Sequence, residues 1–279
     1  MLAAGFFISP QDLWSSIGGA KAPQLIDVCR REVYEASPGV LPTAVWQGPV
    51  PASQWSAGID RSRPVVVTCK AGHNLSQGAA AELRAEGFDA RVLEGGRTGW
   101  LEAGLPMVSR AAMERLAPAR PSRWVTRRRP KIDRIACPWL IRRFIDPQAR
   151  ILFVDPPEVP SVAADAGAVP FDIEGVELSH EGERCSFDTM LRLFGLEGVP
   201  ALARLALLVR GADTARPDLA PEAAGLLAVS LGLSALAGDD DHGLLQRGFI
   251  VYDGLYAWLQ FAAEGAPQLA GQGGVRMAP

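Results

Sequence analysis

The chain has 279 residues, of which 48% are hydrophobic and 21% charged, and its formal net charge is −3. This balance is typical of a folded protein with one or two apolar cores, and it excludes a disordered or strongly basic chain. Four cysteines without a close pair exclude a disulfide framework and a CxxC zinc site, and they favour a reducing compartment. Because no apolar run is long enough for a bilayer and the first residues carry no basic region, we expect a cytoplasmic protein with no membrane partner.

The first hundred residues alternate between strand and helix patterns. Ser9 and Pro10 are typical of an N-cap and the first position of a helix. Apolar runs predict strands at residues 25–29, 65–68 and 90–93. An alanine-rich helix is predicted to run to about Glu86 and to end at Gly87, and residues 37–53 are predicted to be mostly loop. This alternation predicts a parallel sheet with ligands at the carboxyl ends of its strands.

Cys69 stands directly after a predicted strand and in front of a predicted helix. Loop N–H groups and the positive end of the helix dipole would surround its sulfur, which favours a thiolate; a buried structural cysteine is the alternative. Lys70 adds positive charge beside the sulfur. His73 offers a hydrogen bond or a proton, or it simply packs the loop. Asp27 and Gly95 also fall at strand ends, which strengthens the functional interpretation of the cysteine.

Three segments carry a family resemblance. They are Ile26-Asp27-Val28, the strand–Cys69–loop–helix unit, and Gly95-Gly96-Arg97-Thr98-Gly99-Trp100 followed by Gly104-Leu105-Pro106. Over residues 6–110 they resemble a single-domain rhodanese. The resemblance implies an α/β fold, a parallel sheet flanked by helices, and a sulfurtransferase that needs no cofactor. A sulfur donor would leave sulfane sulfur on Cys69 as a persulfide, and a thiol acceptor would remove it. Catalytic roles are implied for Cys69, Lys70 and His73, and substrate binding for Ala71, Gly72, Asn74, Leu75 and Ser76.

The loop departs from the family pattern at one position. The usual sequence resembles Cys-Arg-x-Gly-x-Arg-Ser, and its second arginine is replaced here by Asn74. Asparagine cannot make the charged bidentate contact with a sulfonate that arginine makes. Thiosulfate is therefore expected to be a poor donor, and the natural donor and acceptor stay open.

A change of composition divides the chain into a domain at 1–117, a linker at 118–122 and a second domain at 123–279. A basic run from Arg120 to Arg134 opens the second domain, and a solvated face, a nucleic-acid contact and a guide for a small dianion all fit it. Since Trp124 is the one aromatic side chain nearby, we expect no stacking platform for single-stranded nucleic acid.

Pro138 suits the first position of a helix, which would place Cys137 near the N-cap with its sulfur over free N–H groups. That position lowers a thiol pKa unless apolar surroundings bury the sulfur, and a structural cysteine beside Trp139 is the alternative. Beyond it, strands are predicted at 151–154 and 168–173. Helices are predicted at 187–194, 201–210, 222–233 and 243–264.

His180, Cys185 and Asp213 come from separate loops and are candidates to converge on a divalent metal, although no compact ligand spacing supports the site. Asp239 to Asp241 are another acidic group, with an alternative explanation as acids at the start of a helix.

Four further segments carry a second resemblance. They are Asp133 to Asp146, His180 to Phe187, Gly211-Ala212-Asp213, and Asp253 to Tyr256. Over about residues 122–265 they resemble the C-terminal domain of the ChrB-type chromate-resistance proteins, most distinctively in Ala-Cys-Pro-Trp-Leu-Ile. The resemblance implies a mainly helical α+β domain associated with chromate resistance. Where the family pattern often has a histidine before the aspartate of the third segment, this chain has Arg210-Gly211, which puts a metal site in question. Chromate is a tetrahedral dianion, and Arg134, Cys137 and Arg143 are candidates to bind or guide it.

These patterns lead to one hypothesis and two alternatives. The hypothesis is a cytoplasmic sulfurtransferase with a Cys69 persulfide, associated with chromate resistance, whose partners are a small sulfur donor, a thiol acceptor and chromate. The first alternative is a chromate- or metal-binding sensor with a catalytically idle rhodanese fold, which Asn74 favours. The second is a transcriptional regulator using the basic run, although a rhodanese in front of the second domain argues against nucleic acid. The oligomeric state is left open.

Overall fold

The computed structural model describes residues 5–263. The strands of the first half are β1 (Phe7–Ile8), β2 (Gln24–Asp27), β3 (Gly39–Val40), β4 (Val45–Trp46), β5 (Val65–Thr68), β6 (Ala90–Leu93) and β7 (Val108–Ser109). Its helices are α1 (Pro10–Ser16), α2 (Arg31–Glu35), α3 (Asn74–Ala85), α4 (Gly96–Glu102) and α5 (Arg110–Leu116). The predicted strands and the helix after Cys69 are confirmed, as is the N-cap, because Ser9 Oγ accepts the Asp12 N–H at 3.1 Å.

A parallel sheet in the order β1-β6-β5-β2-β4 is the centre of this half. Asp27 is paired in register with Thr68, so the carboxyl ends of β2 and β5 lie side by side. β3 and β7 form a separate antiparallel pair. The prediction of a mostly loop segment at 37–53 is confirmed, since it contains only the two-residue strands β3 and β4 and the start of one 3-10 turn.

The second half combines a small parallel sheet with helices. Its strands are β8 (Arg123–Arg127), β9 (Arg150–Val154) and β10 (Val169–Pro170), in the order β10-β8-β9. Its helices are α6 (Asp133–Leu140), α7 (Val159–Ala166), α8 (Ser186–Leu193), α9 (Pro200–Asp213), α10 (Ala223–Ala237) and α11 (Asp241–Ala263). The mainly helical prediction is confirmed. The predicted end of the last helix at Glu264 lies outside the described residues.

The predicted helix start at Pro138 is wrong. The helix begins at Asp133, contains Pro138 in its interior, and continues as one π-helical turn over Ile141–Ile145. A proline there removes the backbone hydrogen bond to the carbonyl of Arg134. Burial of the whole segment against α8 and α11 outweighs this loss, because Cys137 and Trp139 are both fully buried.

One apolar core crosses the boundary between the halves. Trp14 of α1 lies 6.3 Å from Phe144 of the π-helical turn, measured between ring centroids. The backbone N–H of Thr43 donates to the Phe144 carbonyl at 2.9 Å. A second cluster, between the five-stranded sheet and α3, contains Cys69 and Cys29. Cys69 therefore belongs to an apolar cluster of the first half alone, while another part of the first half packs against the second half.

Candidate functional site: the Cys69 loop and a buried carboxylate–histidine cluster

The Cys69 loop is held from behind by the start of α4. The Arg97 N–H donates to the carbonyl of Cys69 at 2.9 Å, and the Thr98 N–H donates to the carbonyl of Lys70 at 2.9 Å. The loop therefore turns its carbonyls toward α4, and its N–H groups are left to point at the sulfur. This arrangement requires the two backbones to approach each other closely.

Gly72 and Gly96 make that approach possible. A Cβ on Gly96 would lie 2.4 Å from both the Cys69 carbonyl oxygen and the Gly72 nitrogen, and the Gly96 φ of +56° is in the left-handed region. A Cβ on Gly72 would lie 2.6 Å from the Leu93 carbonyl oxygen. Only glycine tolerates both the close approach of the two backbones and a left-handed φ, which explains the Gly-Gly pair after β6.

The surroundings of the Cys69 sulfur favour a thiolate. Burial opposes the charged form, but the Ser76 hydroxyl, 3.2 Å from Sγ, and the N–H groups of Ser76, Ala71 and His73 outweigh it, so the pKa of Cys69 is lowered. Sγ accepts hydrogen bonds from N–H groups of the loop and of the first turn of α3. The loop can thus stabilise an anion on the sulfur or on an atom attached to it.

The other predicted loop residues surround this sulfur in two sets. Gly72 and Ser76 are buried and Ala71 is half-buried, so they shape the floor. Lys70, His73, Asn74 and Leu75 are exposed at the rim. Within the described residues, the His73 imidazole makes no hydrogen bond. The His73 carbonyl lies 3.0 Å from the Ser76 hydroxyl, whose single hydrogen can turn either to that carbonyl or to a Cys69 thiolate. The side chains of the rim are therefore accessible from solvent.

We expect the alkylation rate of Cys69 by iodoacetamide to rise with pH around a midpoint below the ordinary thiol pKa of about 8.5. The folded-state pKa is lowered, so the reactive thiolate is already present at pH values where a free thiol is protonated. Ser76→Ala removes a donor to the sulfur and should raise the midpoint. Mass spectrometry of the Cys69 peptide across pH measures both.

Ser15→Ala, an exposed serine on α1, is the matched control and should leave the midpoint unchanged. A midpoint at or above the ordinary value, or one unaffected by Ser76→Ala, would contradict the role assigned to the loop.

A buried ion pair beneath the loop was missed by the sequence reasoning. Arg97 Nη2 donates to Asp27 Oδ2 at 2.5 Å, and both side chains are almost fully buried. Arg97 also donates to the Val33 carbonyl and to Cys29 Sγ. Burial, reinforced by Asp27, raises the pKa of Cys29 to about 12. Cys29 is therefore a neutral packing group, and the signal for the pair was the acid at the end of β2.

The second half brings three of its polar residues together. His180 Nε2 lies 3.2 Å from Asp213 Oδ2, 3.5 Å from Asp133 Oδ2 and 3.6 Å from Asp172 Oδ1. Asp133 begins α6, Asp213 ends α9, and His180 lies in the loop before α8. We call Asp133, His180 and Asp213 the carboxylate–histidine cluster. Burial raises the pKa of Asp133, and it raises that of Asp213 to about 7. The hydrogen bond to Asp133 raises the pKa of His180 to about 9.

The predicted metal ligand Cys185 lies outside this cluster. Its thiol donates to Asp188 Oδ2 at 3.2 Å, and Asp188 is held in turn by Arg210. The third member of the cluster is Asp133 instead. Sequence reasoning included Asp133 in a family motif but did not identify it as a candidate ligand. Cys137 is fully buried, and burial raises its pKa well above the ordinary value. The condition for a lowered pKa, an unburied sulfur, is therefore not met, and the alternative of a structural cysteine in the core with Trp139 is the one that the structure supports.

The arginines proposed to bind chromate are already engaged. Arg143 donates to both oxygens of Asp253 at 2.8 Å. Arg134 donates to the carbonyl of Arg128 and lies 3.3 Å from Asp172. A dianion would have to displace these partners.

The basic run is likewise paired with acids. Arg127 contacts Asp172, and Arg128 and Arg129 both contact Asp239 at 3.0 Å. Asp241 Oδ1 accepts the Arg129 N–H, so the acids at the start of α11 anchor the loop after β8. The run thereby links β8 to the acids that precede and begin α11.

Comparison with known proteins identifies a domain in each half of the chain. Residues 9–103 match the model of the rhodanese-like domain, and residues 124–259 match that of the ChrB C-terminal domain. The chain therefore consists of a rhodanese-like domain, with its parallel sheet flanked by helices, followed by a mostly helical ChrB C-terminal domain.

Individual relatives cover parts of the chain. Protein ChrB of Cupriavidus metallidurans is 39% identical over 133 residues, which is 48% of this chain and 39% of that protein. The chain thus spans well under half of that relative's length. A rhodanese-related protein from Thermoplasma volcanium is 24% identical over 37% of this chain and 98% of its own, with a TM-score of 0.32. A rhodanese-like domain protein from Staphylococcus aureus is 24% identical over 34% of this chain and 91% of its own, with a TM-score of 0.29. Among the described residues, no helix combines the length and apolarity needed to cross a membrane.

Proposed function

We propose that this protein is a sulfurtransferase that carries sulfane sulfur as a persulfide on Cys69 and acts in chromate resistance. The observation that supports it most is the Cys69 sulfur, which accepts N–H groups of its own loop and has a lowered pKa. A nucleophilic sulfur at a strand end, surrounded by amides, suits covalent transfer of an anionic group.

The reaction proceeds in two displacements. The Cys69 thiolate attacks the outer sulfur of a donor, the donor's S–S bond breaks, and the donor leaves with that electron pair. The new Cys–S–S⁻ anion is stabilised by the loop N–H groups. An acceptor thiolate then attacks the terminal sulfur, and Cys69 leaves as the thiolate it began as. Sulfur passes from donor to acceptor without an external oxidant or reductant.

The rim determines which donor enters. Lys70 is exposed beside the sulfur and attracts an anion, whereas Asn74 at the start of α3 supplies no charge. A sulfonate-bearing donor such as thiosulfate would lack the second cation it needs for a bidentate grip. A polysulfide or a persulfide of a small thiol has no sulfonate and does not need that second cation, so it fits this rim better.

We expect a gain of one sulfur atom in the mass of the Cys69 peptide after incubation of the full chain with a polysulfide. Thiosulfate at the same concentration should load the peptide more slowly, because Asn74 replaces a cation. Mass spectrometry under non-reducing conditions measures both, and the Cys29 peptide is the internal control, since its thiol is buried and neutral. Asn74 also favours a second candidate, a binding module with an idle rhodanese fold. No gain of sulfur on Cys69 from either donor would favour that candidate and contradict sulfur transfer.

The association with chromate rests on the ChrB C-terminal domain. Reduced sulfur delivered by Cys69 to a thiol would supply a reductant for chromium species. The transfer step and the chromate association are separable, because the first depends on Cys69 and the second on the other domain.

A further inference from the structure

The carboxylate–histidine cluster has the dimensions of a metal site. Metal–ligand distances of about 2.0–2.2 Å, with ligands about 90–110° apart, place neighbouring ligand atoms about 2.8–3.6 Å from each other. His180 Nε2 lies 3.2 Å from Asp213 Oδ2 and 3.5 Å from Asp133 Oδ2. A ligand atom from each of the three residues lies within 4.8 Å of the others. The three residues are therefore close enough together to be candidate ligands of one ion.

Asp133 provides independent support for a ligand. The residue is 1% exposed, and its Oδ2 accepts the Ser186 N–H at 2.6 Å. Its Oδ1 is buried and has no hydrogen-bond partner among residues 5–263. An unsatisfied buried carboxylate oxygen is costly, and a bound cation would remove that cost.

A third carboxylate, Asp172, borders the cluster and is itself held in place. Asp172 Oδ1 lies 3.6 Å from His180 Nε2 and accepts the Ser186 hydroxyl at 2.8 Å. Arg127 holds the other oxygen of Asp172 at 3.0 Å. Asp172 therefore adds negative charge beside His180, which favours a cation in the cluster.

The chemistry of the cluster selects the class of ion. Its donors are two carboxylates and one imidazole, since the Cys185 thiol is directed to Asp188. Oxygen and nitrogen donors suit Mn²⁺, Co²⁺ and Zn²⁺ better than a soft monovalent ion such as Cu⁺. The His180 side chain is 40% exposed and that of Asp213 20%, so an ion would keep a face open to solvent.

We propose that Asp133, His180 and Asp213 bind one divalent transition-metal ion, with a coordination position open to water or to an oxygen of a substrate. The rival explanation is a protonated His180 that bridges the carboxylates and leaves no room for an ion. The two differ in whether the chain binds a metal.

The test is titration of the chelator-treated full chain with Mn²⁺ and then with Co²⁺, followed by calorimetry and, for Mn²⁺, electron paramagnetic resonance. Mn²⁺ is a hard ion that thiols do not compete for. We expect one ion per chain, and a loss of affinity of at least about tenfold in His180→Ala and Asp213→Asn. Asp213→Asn keeps the shape of a partly exposed side chain, so it remains informative if His180→Ala does not fold.

His242→Ala is the matched control, because His242 is an exposed histidine of the same domain whose ring lies against Phe153. It should bind the ion as the unaltered chain does. Cys69→Ser should also bind normally, which separates failure of this site from failure of sulfur transfer. Absence of binding, equal binding in Asp213→Asn, or a strong sulfur-to-cobalt charge-transfer band would each overturn the proposal.

Discussion

Replacing Cys69 by serine is expected to lower the rate of sulfur transfer by on the order of 10³-fold or more. A serine hydroxyl stays protonated near neutral pH and cannot hold sulfur as a persulfide, although it fits the space of the thiol and can still pair with Ser76. The fold should therefore survive. The measurement is the rate of thiol-persulfide formation from a polysulfide donor, with circular dichroism to verify folding.

Cys185→Ala is the control for the other cysteines. Its thiol is buried and donates to Asp188, so its loss should affect stability more than transfer. Full activity in Cys69→Ser, together with an inactive Cys185→Ala that is still folded, would move the chemistry to the second domain.

The second large effect is expected from Asp27→Asn, which should lower the free energy of unfolding by about 3–5 kcal/mol. The substitution preserves the shape of the side chain but leaves the Arg97 guanidinium buried without its counter-charge. Because the Arg97 N–H holds the carbonyl of Cys69, the loop should lose order as well. Chemical denaturation followed by tryptophan fluorescence measures the change.

Glu35→Gln provides the matched control, since Glu35 pairs with Arg31 on the surface, where both side chains are more than half exposed. Exposed pairs contribute about 0–1 kcal/mol. A loss for Asp27→Asn as small as that for Glu35→Gln would show that the buried pair is not what holds α4 against the sheet.

Local patterns predicted the Cys69 loop well. A strand of three valines and a threonine, a cysteine, and an alanine-rich helix follow each other over residues 65–85, so their relation is determined by short-range geometry. The glycines after β6 were part of the same family pattern. Their physical reason, the contact of Gly96 with the Cys69 carbonyl, needed the fold.

Contacts between distant parts of the chain could not be predicted in this way. Asp133 and Asp213 are brought together by the packing of α6 against α9, and no spacing in the sequence encodes it. The arginines of the basic run and Asp239 are also far apart in the sequence, so their pairing could not be predicted from local patterns. The prediction of a helix start at Pro138 was wrong for a related reason. The local preference of proline for the first turn of a helix is outweighed by burial of the segment in a core built from both halves.

That shared core has a mechanical consequence. With Trp14 and Phe144 in contact within one apolar cluster, the two domains share a core and are not joined by the linker alone. A rotation of one domain toward the other would have to break this shared core. If Cys69 carries sulfur as proposed, delivery to the second domain would therefore need a diffusing thiol, and the concentration of that thiol would set the rate of delivery.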